Sequence, residues 1–252
     1  MRADVYLFEQ NFYSSREKAR RAIMENAVKI NGIQIEKPSF NVDGNACVEI
    51  VKEVNPFVGR GGLKLQKAIE HFELNLKGSI AIDVGASTGG FTDCMLQNGA
   101  KFVVACDVGE GQLDASLKND KRVLNLEKTD IRNLVSNSIK YGIDYKFDFA
   151  CIDVAFISLT KVLPCIVPLL KERSVIICLI KPQFEAGLKN QGKKGVIRDI
   201  KVHKRICEDI RLFAGRLGFR SVSGEELTEK DIIESPVMGG DGNKEFLMGL
   251  LL

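Results

Sequence analysis

A glycine-rich segment at residues 81–93, AIDVGASTGGFTD, is the part of the sequence best suited to hold a small molecule. An apolar run ends in Asp83, and Gly85, Gly89 and Gly90 follow it before a helical pattern begins. Glycines let a backbone approach a ligand without a Cβ in the way, and open parallel sheets bind ligands at the carboxyl ends of their strands. The spacing is neither GxGxxG nor that of a phosphate loop, which favours a compact nucleoside-type cofactor over a dinucleotide or a nucleoside triphosphate. A tight structural turn is the alternative.

Acidic residues follow the next two apolar runs. Asp107 ends the run at 102–108, where a carboxylate can accept hydrogen bonds from both ribose hydroxyls of a nucleoside. Thr129, Asp130 and Ile131 end the run after it and would meet an adenine edge. Either acid alone is typical of a turn or a helix cap, but both together beside the glycine turn favour a cofactor site.

Four charged residues stand at the boundaries of predicted elements. They are Lys64 in RGGLKL, Asp153 in CIDVAFIS, Lys181 in LIKPQFEAG and Glu245 in GNKEFL. Each alone is typical of a solvated strand end, but Lys181 follows the apolar run VIICLI and must find an acid or lose its charge. Desolvation and a second nearby cation both favour a neutral amine, which can act as a base. Because the chain has only two histidines, proton transfer must use lysine or carboxylates.

Apolar runs alternate with helical patterns over most of the chain and predict the strands that position these residues. Continuous apolar strands separated by helices indicate a parallel sheet buried on both faces. The segments 220–227 and 244–252 are candidates for an antiparallel edge, and a helix is predicted near 200–217. The predicted parallel strands are 79–85, 102–108, 122–130, 147–153 and 174–182.

The first 51 residues predict a separate small unit of two helices, a hairpin and a strand. Ser14 and Glu17 have capping-box spacing at the start of the second helix. The dipeptide Asn31-Gly32 is a strong hairpin signal, and a short strand covers 46–51. Residues 52–59 read as a linker, which leaves 60–252 as the larger domain.

Composition excludes several classes of protein. With 45% apolar residues, 27% charged residues and a net charge of +3, the 252-residue chain is neither disordered nor a polycation. Seven cysteines without CxxC spacing argue against a disulfide scaffold and a metal site, and favour buried thiols in a reducing cytosol. The N-terminus lacks an apolar signal region, and no apolar run approaches the roughly 18 residues of a membrane span. We therefore expect a cytoplasmic protein without stable membrane association.

The segments RGGLKL, DVGASTGGFTDC, CDVGEGQL, IDVAFISL, IKPQFEAG with GKKGV, and GNKEFL resemble the TlyA family in the same order over nearly the whole chain. The resemblance implies an S4-like α+β RNA-binding domain followed by a Rossmann-like, FtsJ-type methyltransferase domain with an antiparallel last strand. It implies S-adenosylmethionine as cofactor. It also implies that Lys64, Asp153, Lys181 and Glu245 form a catalytic tetrad. The cofactor residues expected from the turn and the resemblance together are Asp83, Gly85, Ala86, Ser87, Gly89, Gly90, Asp107, Val108, Asp130, Ile131 and Asp153.

The implied reaction is methyl transfer to a ribose 2′-hydroxyl of ribosomal RNA, at cytidine. The start of the chain resembles the shorter form of the family, whose expected substrate is large-subunit RNA. Lys181 would accept the hydroxyl proton, and Asp153 would orient that lysine. Lys64 and Glu245 would position the ribose. A membrane-active haemolysin and a catalytically inactive RNA-binding protein are the alternatives.

Two basic segments would contact RNA phosphates. The first is the helix carrying Arg16, Lys18, Arg20 and Arg21. The second is residues 181–205, with a local charge of +6, in which Lys193 and Lys194 are the expected contacts. For each segment a solvated face is the alternative, and the absence of aromatic-interleaved motifs indicates recognition by shape and backbone.

Overall fold

A computed structural model describes residues 1–13, 15–52, 54–186, 195–239 and 242–252, and the chain divides into two compact units, Met1–Pro56 and Phe57–Leu252. The predicted linker at 52–59 therefore extends too far. Phe57 is buried in the core of the second unit, and the Val58 amide donates a hydrogen bond of 2.9 Å to Asp93. Residues 57–59 thus belong to the second unit.

The first unit has the predicted order of helix, helix, hairpin and strand. Its sheet is antiparallel with strand order β2-β1-β3. Asn31 and Gly32 both have positive φ, at 51° and 78°, as a two-residue type I′ hairpin turn requires. The elements are α1 (Ala3–Glu9), α2 (Arg16–Met24), β1 (Val28–Ile30), β2 (Ile33–Gln34) and β3 (Val48–Ile50).

The start of α2 differs from the predicted capping box. Its N-cap is Ser15, whose hydroxyl accepts a hydrogen bond of 3.2 Å from the Lys18 amide. Ser14, the predicted N-cap, lies outside the described residues. Because the cap falls one residue later, Glu17 is not at the third helical position and cannot complete a capping box with Ser15.

The second unit is an α/β layer structure around a seven-stranded sheet with strand order β6-β5-β4-β7-β8-β10-β9. The strands from β6 to β8 run parallel, and β10 is antiparallel to β8, as predicted. The strands are β4 (Ile80–Val84), β5 (Phe102–Cys106), β6 (Val123–Leu126), β7 (Phe147–Ile152), β8 (Leu170–Ile180), β9 (Ile232–Glu234) and β10 (Phe246–Leu251). The helices are α3 (Gly61–His71), α4 (Gly90–Gln97), α5 (Ala115–Lys118), α6 (Ile131–Asn137), α7 (Leu159–Ile166), α8 (Pro182–Glu185) and α9 (Ile200–Arg216).

Alternate side chains of the central strands belong to two apolar clusters on opposite faces of the sheet. On β8, Ile176 and Cys178 belong to the cluster that includes α6, α7 and α9. Their neighbours Ile177 and Leu179 belong to the cluster that includes α3 and α4. Burial on both faces explains why the strands read as continuous apolar runs.

The edge of the sheet beyond β8 differs from the prediction in one respect. β10 lies between β8 and β9, so the antiparallel edge strand is β9. The segment 220–227, predicted to pair with the last strand, contributes only a bridge between Arg220 and Leu251. None of the helices in the described ranges has the length and apolar character that crossing a bilayer requires.

Candidate active site

Three of the four predicted tetrad residues meet at one edge of the sheet because of strand direction. Asp153 follows β7 and Lys181 follows β8, which are parallel, so both lie at the carboxyl edge. Since β10 is antiparallel, its first residue pairs with the last residue of β8, Phe246 with Ile180. Glu245, one residue before β10, therefore lies beside the ends of β7 and β8, although β10 runs in the opposite direction.

Lys64 reaches the same edge from the first turn of α3. Apolar residues of α3, among them Leu65 and Ala68, are buried against the sheet with α4. The two helix starts approach so closely that a Cβ at Gly90 would lie 2.9 Å from the Gly62 amide nitrogen. This contact requires glycine and sets Lys64 beside Glu245, 181 residues away in sequence.

The tetrad forms a chain of alternating charge, Glu245–Lys64–Asp153–Lys181. Lys64 Nζ lies 2.6 Å from Glu245 Oε2 and 3.8 Å from Asp153 Oδ2, and Lys181 Nζ lies 2.5 Å from Asp153 Oδ1. Each of the four side chains is at most 18% exposed. Charges buried this far need opposite partners, and each of these four has one. All four line a cavity of about 250 Å³ together with Gly85 and Thr88.

A second, larger cleft of about 880 Å³ adjoins the tetrad. It lies beyond the carboxyl ends of β4, β5, β6 and β7, around the point where strand order reverses between β4 and β7, which is the usual ligand site of such sheets. Asp153 and Lys181 line both cavities. The predicted cofactor residues in its wall are Gly85, Ser87, Asp107, Val108, Asp130, Ile131 and Asp153. Ala86 and Gly90 line the smaller cavity.

Comparison with known proteins identifies this combination of cleft and sheet. Residues 57–251 match the family described as FtsJ-like methyltransferase, and residues 1–46 match the S4 domain. The chain belongs to the FtsJ-like methyltransferase family. The resemblance seen in the sequence motifs is therefore confirmed, and so is the fold predicted for both parts of the chain.

Relatives match the methyltransferase over almost its full length. The Bacillus subtilis protein YqxC, named as a candidate rRNA methyltransferase, is 43% identical over 249 residues, which cover 99% of this chain and 85% of that protein. The 16S/23S rRNA (cytidine-2′-O)-methyltransferase TlyA of Mycobacterium tuberculosis is 36% identical over 250 residues, covering 99% and 89%. A solved structure from Streptococcus thermophilus, titled as a candidate hemolysin, is 40% identical with a TM-score of 0.73, covering 100% of this chain and 88% of that one.

S-adenosylmethionine is the cofactor of this methyltransferase, as predicted, and the larger cleft fits it. Its wall carries the carboxylates of Asp107, Asp130 and Asp153, which complement a positively charged sulfonium and can accept from ribose hydroxyls and an adenine amine. When bound, the cofactor supplies an electrophilic methyl group.

Asp107 and Asp130 also hold the walls of the methyltransferase cleft. Asp107 accepts hydrogen bonds from the amides of Ser87 at 2.8 Å and Gly109 at 2.7 Å, so it ties the glycine turn to the end of β5. Asp130 caps α6 and pairs with Arg132 at 2.5 Å, and the hydrogen bonds from Arg132 hold its pKa below the ordinary value. Each carboxylate oxygen has two lone pairs, so both residues can serve these contacts and a ligand.

The glycines of the turn are required by the chain's own packing. A Cβ at Gly85 would lie 2.3 Å from the Asp153 carbonyl oxygen. Gly89 has φ of 92°, and a Cβ there would lie 2.2 Å from the Leu117 side chain. Gly89 lines neither cavity, so the structure assigns it packing against Leu117, and its contact with the cofactor stays a prediction.

Asp83 is enclosed beneath the cleft rather than in its wall. It is 0% exposed, and its Oδ2 accepts a hydrogen bond of 2.7 Å from the Thr92 hydroxyl. Burial raises the pKa of Asp83 to about 7, because desolvation of the carboxylate outweighs the hydrogen bond from Thr92. It lines neither cavity, so the structure gives this predicted cofactor residue no direct route to a ligand.

Phe156 is a cleft residue that the sequence reasoning missed. It is 91% exposed, has φ of 63°, and its ring centroid lies 5.0 Å from that of Phe184. Lys181 Nζ lies 6.0 Å from the Phe184 ring. The Phe156 side chain lines the larger cleft, and a positive φ is uncommon for a residue other than glycine. The available signal was a phenylalanine in the short segment VAFIS that follows the strand-end Asp153.

The predicted RNA contacts on α2 have different surroundings. Arg16 pairs with the buried carboxylate of Asp4 at 2.8 Å, and Arg2 pairs with it at 2.9 Å. Burial alone would raise the pKa of Asp4, but hydrogen bonds from Arg2 and Arg16 outweigh it and lower the pKa to about 2. Arg16 therefore holds α2 to the start of α1. Lys18 and Arg20 are exposed, with Glu17 3.9 Å from Arg20, and Arg21 is half-buried. Lys193 and Lys194 lie outside the described residues.

Proposed function

We propose that this methyltransferase transfers a methyl group to the 2′-hydroxyl of a cytidine in ribosomal RNA, with large-subunit RNA preferred. The observation that carries the proposal is the Asp153–Lys181 ion pair of 2.5 Å, which lines both the cofactor cleft and the tetrad cavity. The relative from M. tuberculosis bears the name of this reaction. The S4 domain supports RNA as the partner, and such a substrate favours a cytoplasmic location.

The proposed roles of the tetrad follow from its geometry. A ribose hydroxyl in the smaller cavity would lie beside Lys181, which takes the hydroxyl proton as general base. Asp153 pairs with the lysine at 2.5 Å and fixes its position. Lys64 and Glu245 form a second buried pair that holds the far wall of the cavity. Because the hydroxyl is a weak nucleophile, alignment of the reacting atoms provides much of the rate.

The exposed face of Phe156 suits the base of the target nucleotide. Unpaired bases are commonly held by stacking on aromatic side chains. Since Phe184 supports the Phe156 ring and lies beside Lys181, a base stacked there would place its own ribose near the tetrad.

Neither of the two alternative functions would require the tetrad and the adjoining cleft. A membrane-active haemolysin needs neither a buried tetrad nor an adjoining cleft with carboxylates in its wall. An inactive RNA-binding protein needs no lysine buried beside a cofactor site. The proposed function uses both cavities and both units of the chain.

The test is single-turnover methyl transfer to purified ribosomal subunits, with mass mapping of the modified nucleotide. Lys181→Ala should abolish transfer, and Lys181→Arg should be nearly as damaging, because a guanidinium stays protonated. Offering both subunits separately tests the preference for large-subunit RNA.

The matched control is Lys171→Ala, which removes a lysine at the other end of β8 that is paired with Asp148 at 2.7 Å. This variant should keep the wild-type rate. Substantial transfer by Lys181→Arg would show that Lys181 only positions the substrate, and a modified base instead of a ribose would refute the proposed reaction.

A further inference from the structure

Glu185 joins two segments of the candidate site without belonging to the tetrad. It is the last residue of α8, four residues after Lys181. Its carboxylate accepts a hydrogen bond of 2.5 Å from Ser158 Oγ and one of 2.8 Å from the Leu159 amide. Ser158 is the N-cap of α7 and Leu159 its first residue. Glu185 therefore supplies a carboxylate to the start of α7, where negative charge is favourable.

The segments 153–159 and 181–185 are consequently fastened at two points. One is the ion pair between Asp153 and Lys181, and the other is the contact of Glu185 with Ser158 and Leu159. The residues between the two points on the first segment, 154–157, line the cofactor cleft and include Phe156. With both ends held, this loop has little freedom to shift relative to Lys181.

The placement of Glu185 is costly for a residue with only a local role. Glu185 is half-buried, and burial raises its pKa even though Ser158 and Leu159 donate to its carboxylate. A buried carboxylate costs stability unless its acceptors are satisfied. The start of α7 already has a cap, because Ser158 accepts from the Thr160 amide, so helix capping alone does not require Glu185.

We propose that Glu185 is a positioning residue for methyl transfer, one that fixes the 154–157 loop and the Asp153–Lys181 pair relative to each other. This inference rests on the proposed function, since it takes Lys181 as the proton acceptor. Glu185 lines neither the tetrad cavity nor the larger cleft. It acts through Ser158 and Leu159. Its loss should reduce the rate of the bound complex more than it reduces binding.

The experiment compares Glu185→Ala with Glu185→Gln in the full chain. For each variant, calorimetry gives the stoichiometry and affinity of S-adenosylmethionine, and single-turnover kinetics with subunits give the rate per bound cofactor. Glu185→Ala should lower that rate about 100-fold, the scale of a misplacement of about 1 Å, while the stoichiometry stays at one per chain. Glu185→Gln keeps an acceptor for the Leu159 amide and should recover most of the rate.

Asp231 offers a matched control with the same chemistry. This buried carboxylate accepts hydrogen bonds of 2.5 Å from Ser221 Oγ and 2.7 Å from the Thr228 amide. It thus joins two loops that carry no candidate site residue. Asp231→Ala should lower thermal stability as Glu185→Ala does, and should leave the rate per bound cofactor at the wild-type value.

The outcomes separate this inference from the proposed function. If Glu185→Ala loses stability but keeps its rate per bound cofactor, as Asp231→Ala should, Glu185 is only structural and the inference is wrong. If Lys181→Ala itself retains the wild-type rate, the proposed function fails first. Should Glu185→Ala not fold, Ser158→Ala, which removes one of the two contacts, decides the matter. A wild-type rate per bound cofactor in Ser158→Ala would overturn the inference.

Discussion

The Asp83→Asn variant should become more stable relative to the wild-type protein as pH rises. The pKa of Asp83 is raised by burial from 3.8 to about 7, so the folded state keeps a proton that the unfolded chain releases. Stability is therefore lost as pH rises through the window from 3.8 to about 7. The sign is opposite to that of a carboxylate paired with a cation, such as Asp4.

The magnitude follows from the position of this window. At about 1.4 kcal/mol per pH unit, the free energy of unfolding should fall by about 2 kcal/mol between pH 5.5 and the upper end of the window because of Asp83. Asn can still accept from the Thr92 hydroxyl, which donates to Asp83 Oδ2, but it has no charge to bury. The Asn variant should lack this part of the pH dependence.

The assay is urea unfolding of both proteins at pH 5.5 and pH 8.5. Any fixed cost of the Asn side chain is the same at both pH values, so the pH-dependent difference isolates the carboxylate. In thermal melts the relative gain of Asp83→Asn should be about 4–8 °C for a unit of this size. Equal pH dependence of the two proteins would refute the reasoning. A loss of cofactor affinity above tenfold at both pH values would instead return Asp83 to the cofactor site.

The other predictions concern the cleft and the basic helix. Asp107→Ala removes acceptors for the Ser87 and Gly109 amides and for a ribose, so calorimetry should show S-adenosylmethionine binding weakened by about 1.5–3 kcal/mol; unchanged affinity would contradict the ribose role. Phe156→Gly removes an exposed ring at φ of 63°, so the free energy of unfolding should change by less than about 1 kcal/mol, while kcat/KM for subunits falls and cofactor affinity stays the same. Arg16→Ala should destabilise the first unit in urea by about 1 kcal/mol, a value discounted because the Arg16 side chain is 55% exposed; no loss would mean that the Asp4 pair is inert. Charge reversal at Arg20 and Arg21 should weaken RNA binding and flatten its salt dependence, and an unchanged salt slope would leave α2 as a solvated face.

Element order was predictable because each element has a local signal. The alternation of apolar runs and helical patterns indicates a parallel sheet with covered faces, and Asn31-Gly32 fixes a hairpin by backbone preference alone. Boundaries were less predictable. The cap of α2 falls at Ser15, and the third parallel strand ends at Leu126 instead of 130. Such ends depend on hydrogen bonds that neighbouring residue types supply almost equally well.

The roles of single residues depended on which face of an element they occupy. Asp83 stands one residue before the end of β4, and the pleat turns it toward Thr92 of α4, away from the cleft. Arg16 looked like its basic neighbours on α2, but the packing of α1 places the Asp4 carboxylate against it. Glu185 lies within the motif IKPQFEAG, but its role could not be predicted, because its partners Ser158 and Leu159 lie 26 or more residues away.

The sequence by itself determined the fold class, because buried strands are visible as local pattern, and its motifs determined the methyltransferase family. The resemblance of those motifs also singled out the four charged residues predicted to form the tetrad. Only the tertiary structure decided how these residues meet. Glu245 reaches Lys64 because β10 runs antiparallel beside β8 and α3 closes on glycines of α4. Contacts between distant segments are set by strand direction, register and helix packing, and none of these is encoded in the spacing of the residues that finally touch.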